Sequence, residues 1–177
     1  MARIIDRLRS PKVAAGAIAL AAAMTIAGAL VFEHILGLAP CPLCLRQRIP
    51  YYAAIPVGLA AAALPVRVVR LGLIALAAIF LVSAGLGVHH AGVEWRWWPG
   101  PSDCAGAPAP APAGMGDFLN QLQATRVVSC TEAAWRFLGL SLAGWNVLIS
   151  LALAGLALTA SWSGLTRPSR AERGAFS

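Results

Sequence analysis

The sequence predicts an all-α membrane protein, a four-transmembrane-helix antiparallel bundle with two outward-facing loops. The 177-residue chain is 59% hydrophobic and only 12% charged, with a mean hydropathy of +0.72, which is too apolar for a soluble domain. It contains four apolar runs close to the roughly 20 residues that a helix needs to cross a bilayer. Its basic residues cluster at alternate ends of these runs. We expect residues 1–177 to form a single integral membrane domain.

The first predicted span covers residues 13–32. It is continuously apolar rather than alternating, which favours a helix over a barrel strand, because lipid requires the backbone to satisfy its own hydrogen bonds. A basic start followed by an apolar run also resembles a secretory signal. This run is longer than the usual signal core of about 7 to 15 residues, so we expect it to be retained as a span.

The first outward loop, about residues 33–48, contains the stretch APCPLCLRQR. Proline is favoured at the first position of a helix, so a helix that begins at Pro42 would have Cys41 as its N-cap and Cys44 in its first turn. Free amide donors and the positive end of the helix dipole favour a thiolate there. Arg48 lies four residues after Cys44, on the same helical face. Its charge would stabilise a thiolate and also negative charge on a bound electron acceptor.

The other three predicted spans cover residues 49–64, 71–88 and 142–162. The second is the shortest, and Pro50 and Pro56 interrupt its backbone hydrogen bonding. None of the four runs contains a charged residue. The short connections between consecutive spans predict an antiparallel bundle.

The placement of charge predicts the orientation in the membrane. Nine of the 14 basic residues fall on one side of the predicted spans, together with only two of the seven acidic residues. By the positive-inside rule, both termini are cytoplasmic. These basic residues are Arg3, Arg7, Arg9, Lys12, Arg67, Arg70, Arg167, Arg170 and Arg173. Because the net charge of +7 is explained by orientation, we expect contact with membrane lipid and no nucleic-acid partner.

The second outward loop, about residues 89–141, is long. Its stretch PGPSDCAGAPAPAPAGMG is half proline and glycine, which predicts an extended, mobile arm that carries Cys104. The apolar spacing after Asp117 predicts a short helix on the membrane surface. This helix would hold Cys130 near the bilayer.

All four cysteines fall in the two outward loops, which indicates thiol chemistry in an oxidising compartment. A Cys-x-x-Cys pair alone is compatible with a metal site, a structural disulfide or a redox centre. A zinc site would favour a second pair of closely spaced cysteines, but Cys104 and Cys130 are 26 residues apart. A bridge within Cys-x-x-Cys closes too small a loop to stabilise much by chain entropy. Disulfide exchange is therefore favoured. The alternative is a non-catalytic membrane protein with structural disulfides, or a metal-binding transporter, although a transporter should have charged residues inside its spans.

Several motifs together closely resemble the DsbB family, disulfide bond formation protein B. They are CPLCLRQR entering the second span, a histidine and VEWRWWPGPSDC after the third, and SCTEAAWRFLGLSLAGWN before the fourth. The resemblance implies a thiol oxidase of the bacterial inner membrane with periplasmic cysteine loops. Such an enzyme reoxidises a DsbA-like periplasmic thioredoxin-fold protein and passes the electrons to a membrane quinone, ubiquinone or menaquinone.

The resemblance also implies a role for each cysteine. Cys104 would be attacked by the reduced partner and form the mixed disulfide. Cys130 would be released and would exchange with Cys41. Cys44 would then face the quinone as a thiolate.

For the quinone site, the resemblance implies Arg48 and His90 beside Cys44. Arg48 would stabilise the quinone oxygens, and His90 would lie nearby. The chain also contains His89, but the spacing to the tryptophan-rich segment favours His90. No resident metal is expected.

Overall fold

The computed structural model describes residues 10–100, 114–116, 130–133 and 135–163, with the side chains of residues 66 and 67 excepted. This part of the chain is mostly helical, as predicted, and it also contains a short β-hairpin. Its elements are α1 (Pro11–His34), α2 (Pro42–Ala63), α3 (Val66–Glu94), β1 (Arg136–Phe137), β2 (Leu140–Ser141) and α4 (Leu142–Ser163).

Prolines set several of these helix boundaries. Pro11 and Pro42 occupy the first turns of α1 and α2, where the missing N–H has no intrahelical partner to lose. Pro65 separates α2 from α3, because the residue before a proline is disfavoured in the helical region. α2 therefore begins seven residues before the predicted second span, inside the predicted first loop.

Three of the helices are long and apolar enough to cross a membrane: Pro11–His34, Val68–Glu94 and Leu142–Ser163. Large apolar side chains such as Leu20, Leu71 and Trp162 lie exposed on their outer faces, as expected for surfaces that contact lipid. α2 is less apolar because its second turn contains two arginines and a glutamine. The structure thus supports three of the four predicted spans, and the crossing by α2 stays a prediction.

Consecutive helices pack against each other, and a glycine lies at each crossing. A Cβ on Gly58 of α2 would lie 2.9 Å from the carbonyl oxygen of Ala15 and 2.9 Å from the Cβ of Ala19 on α1. Gly72 approaches Ala61 in the same way between α3 and α2, and Gly87 approaches α4. Small residues therefore permit close backbone contact between helices in lipid.

The core lies along these crossings. Its largest buried members include Ile18, Tyr51, Leu73, Leu76 and Phe80. The rings of Phe80 and Tyr51 pack edge to face, with their centroids 5.4 Å apart. α2 is thereby fixed against α3 near the end of the bundle that carries the cysteines.

Part of the second loop is described. The two strands pair antiparallel through Leu138 and Gly139, which both have positive φ (52° and 82°), the backbone required by a two-residue hairpin turn. The sequence did not predict this hairpin, since leucine rarely adopts positive φ. The predicted mobile arm with Cys104 and the surface helix near Asp117 lie outside the described residues.

Candidate functional site: a dithiol at the start of helix α2

Cys41 and Cys44 lie at the N-terminus of α2, and both are free thiols. Cys41 is the N-cap residue, and its Sγ accepts a hydrogen bond from the backbone N–H of Cys44 at 3.2 Å. The two Sγ atoms are 2.8 Å apart. The cap arises from local sequence, because Pro42 starts the helix and leaves the preceding side chain to satisfy the first free amides.

His90 reaches this pair from α3. Its Nε2 lies 3.6 Å from Cys41 Sγ, and the residue is buried. The neighbouring His89 is exposed and points elsewhere, with its ring stacked on Trp98. The structure therefore places His90, and not His89, beside the sulfurs.

These contacts give the two thiols different pKa values. The pKa of Cys41 is lowered from 9.0 to about 4, mainly by the hydrogen bond from the Cys44 side chain and then by His90, against the opposing effect of burial. The pKa of Cys44 is raised, first because it keeps the shared proton in that hydrogen bond and then because it is buried. With both thiols reduced, the thiolate is therefore on Cys41 and the proton on Cys44.

Cys130 lies against the same pair. It is fully buried in a small cluster with Cys41, Leu43 and Val93, and it is disulfide-bonded. Three of the four predicted cysteines therefore meet at one end of the bundle. The fourth, Cys104, lies outside the described residues.

Arg48 forms an ion pair with Glu33 at the end of α1, with Nη1 2.6 Å from Oε2. Both side chains are largely buried, at 13% and 25% exposed. The predicted cation is thus not a lone charge beside Cys44. The ion pair fixes the guanidinium and leaves further N–H groups of Arg48 able to donate to another acceptor.

A buried polar network connects His90 to the interior of the bundle. Gln47 Nε2 donates to His90 Nδ1, and Asn146 Nδ2 donates to Gln47 Oε1, both at 2.5 Å. Tyr51 donates to Asn146 Oδ1 at 2.6 Å, and Ser150 lies 3.1 Å from the tyrosine hydroxyl. Since Nδ1 accepts in this arrangement, the proton of neutral His90 is on Nε2, which faces Cys41.

Glu94 completes the polar groups around the dithiol. It lies one helical turn after His90, and its Oε1 is 3.8 Å from His90 Nε2. Its other oxygen, Oε2, is buried and accepts no hydrogen bond from the part of the chain that the structure describes. A buried carboxylate oxygen without a partner is costly, which makes it a candidate for contact with a ligand.

A cavity of about 330 Å³ opens beside the dithiol. Apolar side chains of α1 and α4, including Ile26, Phe32 and Ile149, form most of its wall. Its polar lining is concentrated near the cysteines: Cys41, Cys44, Gln47, Arg48, Tyr51, His90, Glu94 and Asn146. Such a cavity suits a mostly apolar molecule with polar atoms at one end.

Some of the residues that line the cavity are recognisable from the local sequence pattern, and the fold brings the others to the site. Cys41, Cys44, Arg48 and His90, which the sequence analysis named as site residues, all line the cavity. Four polar residues were missed: Glu33, Gln47, Glu94 and Asn146. The available signal was an isolated polar side chain next to or inside an apolar run, which is uncommon without a partner in a membrane helix.

Comparison with known proteins agrees with this geometry. The family profile described as "Disulfide bond formation protein DsbB" matches residues 11–160. Disulfide bond formation protein B of Stutzerimonas stutzeri (strain A1501) is 34% identical over 91% of this chain and 99% of its own length. The proteins of the same name from Marinobacter nauticus and Polaromonas sp. (strain JS666) are 33% and 31% identical, over 75% and 80% of this chain and 81% and 86% of their own lengths. The chain therefore belongs to the disulfide bond formation protein B family, the disulfide-forming oxidoreductases of membranes.

Proposed function

We propose that the protein is a quinone-dependent thiol oxidase of the bacterial inner membrane. It reoxidises a DsbA-like periplasmic thioredoxin-fold protein and passes two electrons to ubiquinone or menaquinone. One observation carries the proposal: the free Cys41–Cys44 pair packs against the disulfide-bonded Cys130 and also lines the apolar cavity. The pair can thus receive electrons from one sulfur pair and deliver them into the cavity.

Electrons enter by two disulfide exchanges. We propose that Cys130 pairs with Cys104, the remaining cysteine of the sequence. A thiolate of the reduced partner attacks Cys104, and Cys130 leaves as a thiolate. The partner's second thiolate then displaces Cys104, so that the partner leaves oxidised. Two electrons now lie on Cys104 and Cys130.

The second exchange moves these electrons to the helix N-terminus. Cys130 attacks Cys41 of an oxidised Cys41–Cys44 pair, and Cys44 leaves as a thiolate that lines the cavity. Cys41, now in a mixed disulfide, no longer shares a proton with Cys44, which removes the main cause of the raised pKa of Cys44. Attack by Cys104 on Cys130 releases Cys41. The result is a free Cys41–Cys44 pair and a disulfide-bonded Cys130, as in the structure.

The cavity residues fit a quinone at the exit. A bound quinone supplies an acceptor for two electrons and two protons. Arg48, held by Glu33, lines the cavity and its remaining N–H groups could donate to a quinone oxygen there. His90 holds a proton at Nε2 beside Cys41. Loss of two electrons and of the Cys44 proton from the thiolate–thiol pair would restore the Cys41–Cys44 disulfide. The second proton taken up by the reduced quinone would come from water.

Purified protein with reduced partner and a soluble quinone tests this route. Cys44→Ser should abolish quinone reduction, followed by absorbance, but should still form the mixed disulfide with the partner, followed on non-reducing gels. Cys104→Ser should lose both quinone reduction and mixed-disulfide formation. Leu45→Ala, an exposed position on the same turn, is the control and should behave as the unmodified protein. Quinone reduction at the normal rate by Cys44→Ser would exclude the proposed exit. No quinone reduction by the unmodified protein would favour a non-catalytic role.

A further inference from the structure

We propose that the reduced dithiol forms a zinc-binding site with His90 and Glu94, and that a bound Zn²⁺ ion holds the pair in its reduced state. The site would take a soft divalent cation in tetrahedral geometry with two thiolates, one imidazole and one carboxylate. Zinc binding stands on the geometry of the dithiol, His90 and Glu94, independently of the proposed function. Its inhibitory consequence rests on the proposed function.

Three of the four proposed donor atoms are already close to the required spacing. One sulfur each from Cys41 and Cys44 and a ring nitrogen of His90 lie within 4.8 Å of one another. Zinc binds such ligands at about 2.0 to 2.3 Å, which places neighbouring donors roughly 3.3 to 3.8 Å apart. The distance from Cys41 Sγ to His90 Nε2 is 3.6 Å. The two sulfurs, at 2.8 Å, would have to separate by about 1 Å, which rotation of the Cys44 side chain can supply.

Glu94 is the independent observation that points to a ligand. Its side chain is only 4% exposed, and its Oε1 lies 3.8 Å from the same nitrogen of His90. Its Oε2 is buried without a hydrogen bond from any described residue. Glu94 lies outside the three donors that already meet within 4.8 Å, and rotation of its side chain would bring a carboxylate oxygen to the metal as the fourth ligand. His90 and Glu94 lie on successive turns of α3, so a single helix supplies both ligands.

The other ring nitrogen of His90, Nδ1, has a hydrogen-bond partner that is compatible with zinc at Nε2. Zinc at Nε2 requires the proton on Nδ1, with an acceptor facing it. Gln47 contacts Nδ1, and a half-turn of its amide group would present Oε1 instead of Nε2. Asn146 can invert in the same way and donate to Tyr51 in place of accepting from it. The network therefore accommodates either His90 tautomer.

The oxidation state of the cysteines controls this site. Binding replaces the remaining thiol proton by the metal and moves no electrons, whereas a Cys41–Cys44 disulfide has no thiolate to offer. Zinc and oxidation therefore compete for the same two sulfurs. The sequence predicted no metal because it contains only one Cys-x-x-Cys pair. The other two proposed ligands lie on a separate helix, α3, which the spacing of the cysteines does not reveal.

Cobalt titration of the reduced full-length protein in detergent, under anaerobic conditions, tests the site. Co²⁺ should produce sulfur-to-cobalt charge-transfer absorbance and tetrahedral visible bands at one equivalent, and Zn²⁺ should displace it. Glu94→Gln and His90→Ala should each weaken binding at least about tenfold. His89→Ala, the exposed neighbour, should leave it unchanged. The Cys104→Ser, Cys130→Ser double variant should retain binding, because it keeps the proposed ligands.

Several results would overturn the proposal. They are equal binding by the oxidised protein, loss of binding in the double variant, and unchanged affinity in both Glu94→Gln and His90→Ala. Circular dichroism of each variant distinguishes a lost ligand from a lost fold. A second measurement adds Zn²⁺ during turnover, which should slow quinone reduction until a chelator restores it. If cobalt binds as described but turnover is absent without metal, the zinc site stands and the proposed function fails.

Discussion

The different acidities of Cys41 and Cys44 arise from the position of each sulfur relative to the first turn of α2. Cys41 Sγ, at the N-cap, receives the Cys44 backbone N–H and faces His90, so its negative charge is stabilised by several donors. Cys44 lies inside the helix and is the donor to Cys41 in the reduced pair. One helix terminus thereby produces a stabilised thiolate and a protonated neighbour.

This asymmetry predicts the pH dependence of the reduced protein. Because the pKa of Cys41 is lowered to about 4, its thiolate should persist as the pH falls from about 9 to about 5 and disappear only near pH 4. An ordinary thiol would already be protonated below about pH 8.5. The measurement is the thiolate ultraviolet absorbance against pH, with Cys41→Ser as the blank.

The sign of the effect on folding follows from the same shift. The folded state binds the Cys41 proton more weakly than the unfolded chain does, so this group stabilises the fold most above pH 9 and the contribution is lost as the pH falls to about 4. His90→Ala removes one of the causes and should raise the titration midpoint. An unchanged midpoint would mean that His90 does not stabilise the thiolate.

For individual residues, the sequence predicts contacts between near neighbours in the chain but not contacts between residues on different helices. The N-cap role of Cys41 depends on Pro42 and Cys44, its immediate neighbours, and it is confirmed. The ion pair of Arg48 depends on Glu33, 15 residues earlier on another helix. Only the rotation of α1 against α2 brings these side chains together, and sequence spacing does not specify that rotation.

The helices are arranged by small residues rather than by interlocking large ones. Ala15 and Ala19 of α1 lie against Gly58 of α2, so the two backbones approach closely. The abundance of alanine and glycine in the first span was visible in the sequence. Which alanine meets which glycine was not, because continuous apolar runs lack the periodicity that distinguishes an inner from an outer face.

Gly58 is therefore predicted to be intolerant of even one added carbon. Gly58→Ala would place a Cβ 2.9 Å from the Ala15 carbonyl oxygen, which belongs to the backbone and cannot rotate away. We expect a loss of about 1 to 3 kcal/mol of stability from this overpacking, measured by unfolding in mixed detergent micelles. Gly85→Ala, which meets nothing within 4 Å, should change stability by less than about 0.5 kcal/mol.

For the whole molecule, the topology depends on whether α2 crosses the bilayer. Its polar second turn lowers its hydropathy, yet its 22 residues would span about 33 Å, enough for the hydrocarbon core. It also packs between α1 and α3. It runs antiparallel to α1, since Gly58 meets Ala15 while Arg48 meets Glu33, and antiparallel to α3, since Ala61 meets Gly72 while Gln47 meets His90. We propose that it crosses, which leaves both termini in the cytoplasm and both cysteine loops in the periplasm.

Reporter fusions test this topology. Alkaline phosphatase, which is active only outside the cytoplasm, should be inactive when fused after Ser177 or at the α2–α3 turn, and active when fused after Gly116. The reason is that four crossings return the chain to its starting side. An active fusion at the α2–α3 turn would mean that α2 does not cross, and the orientation derived from the basic residues would have to be revised.

The buried network from His90 through Gln47 and Asn146 to Tyr51 joins three helices by side-chain bonds. Sliding any one of these three helices along its axis would break at least one of these bonds in a medium that offers no replacement. The depth of the dithiol is consequently determined by the protein and not by the surrounding lipids. When bacteria lengthen or shorten their fatty acids, the molecule should respond by leaning as a rigid unit, which keeps the sulfurs and the cavity in register.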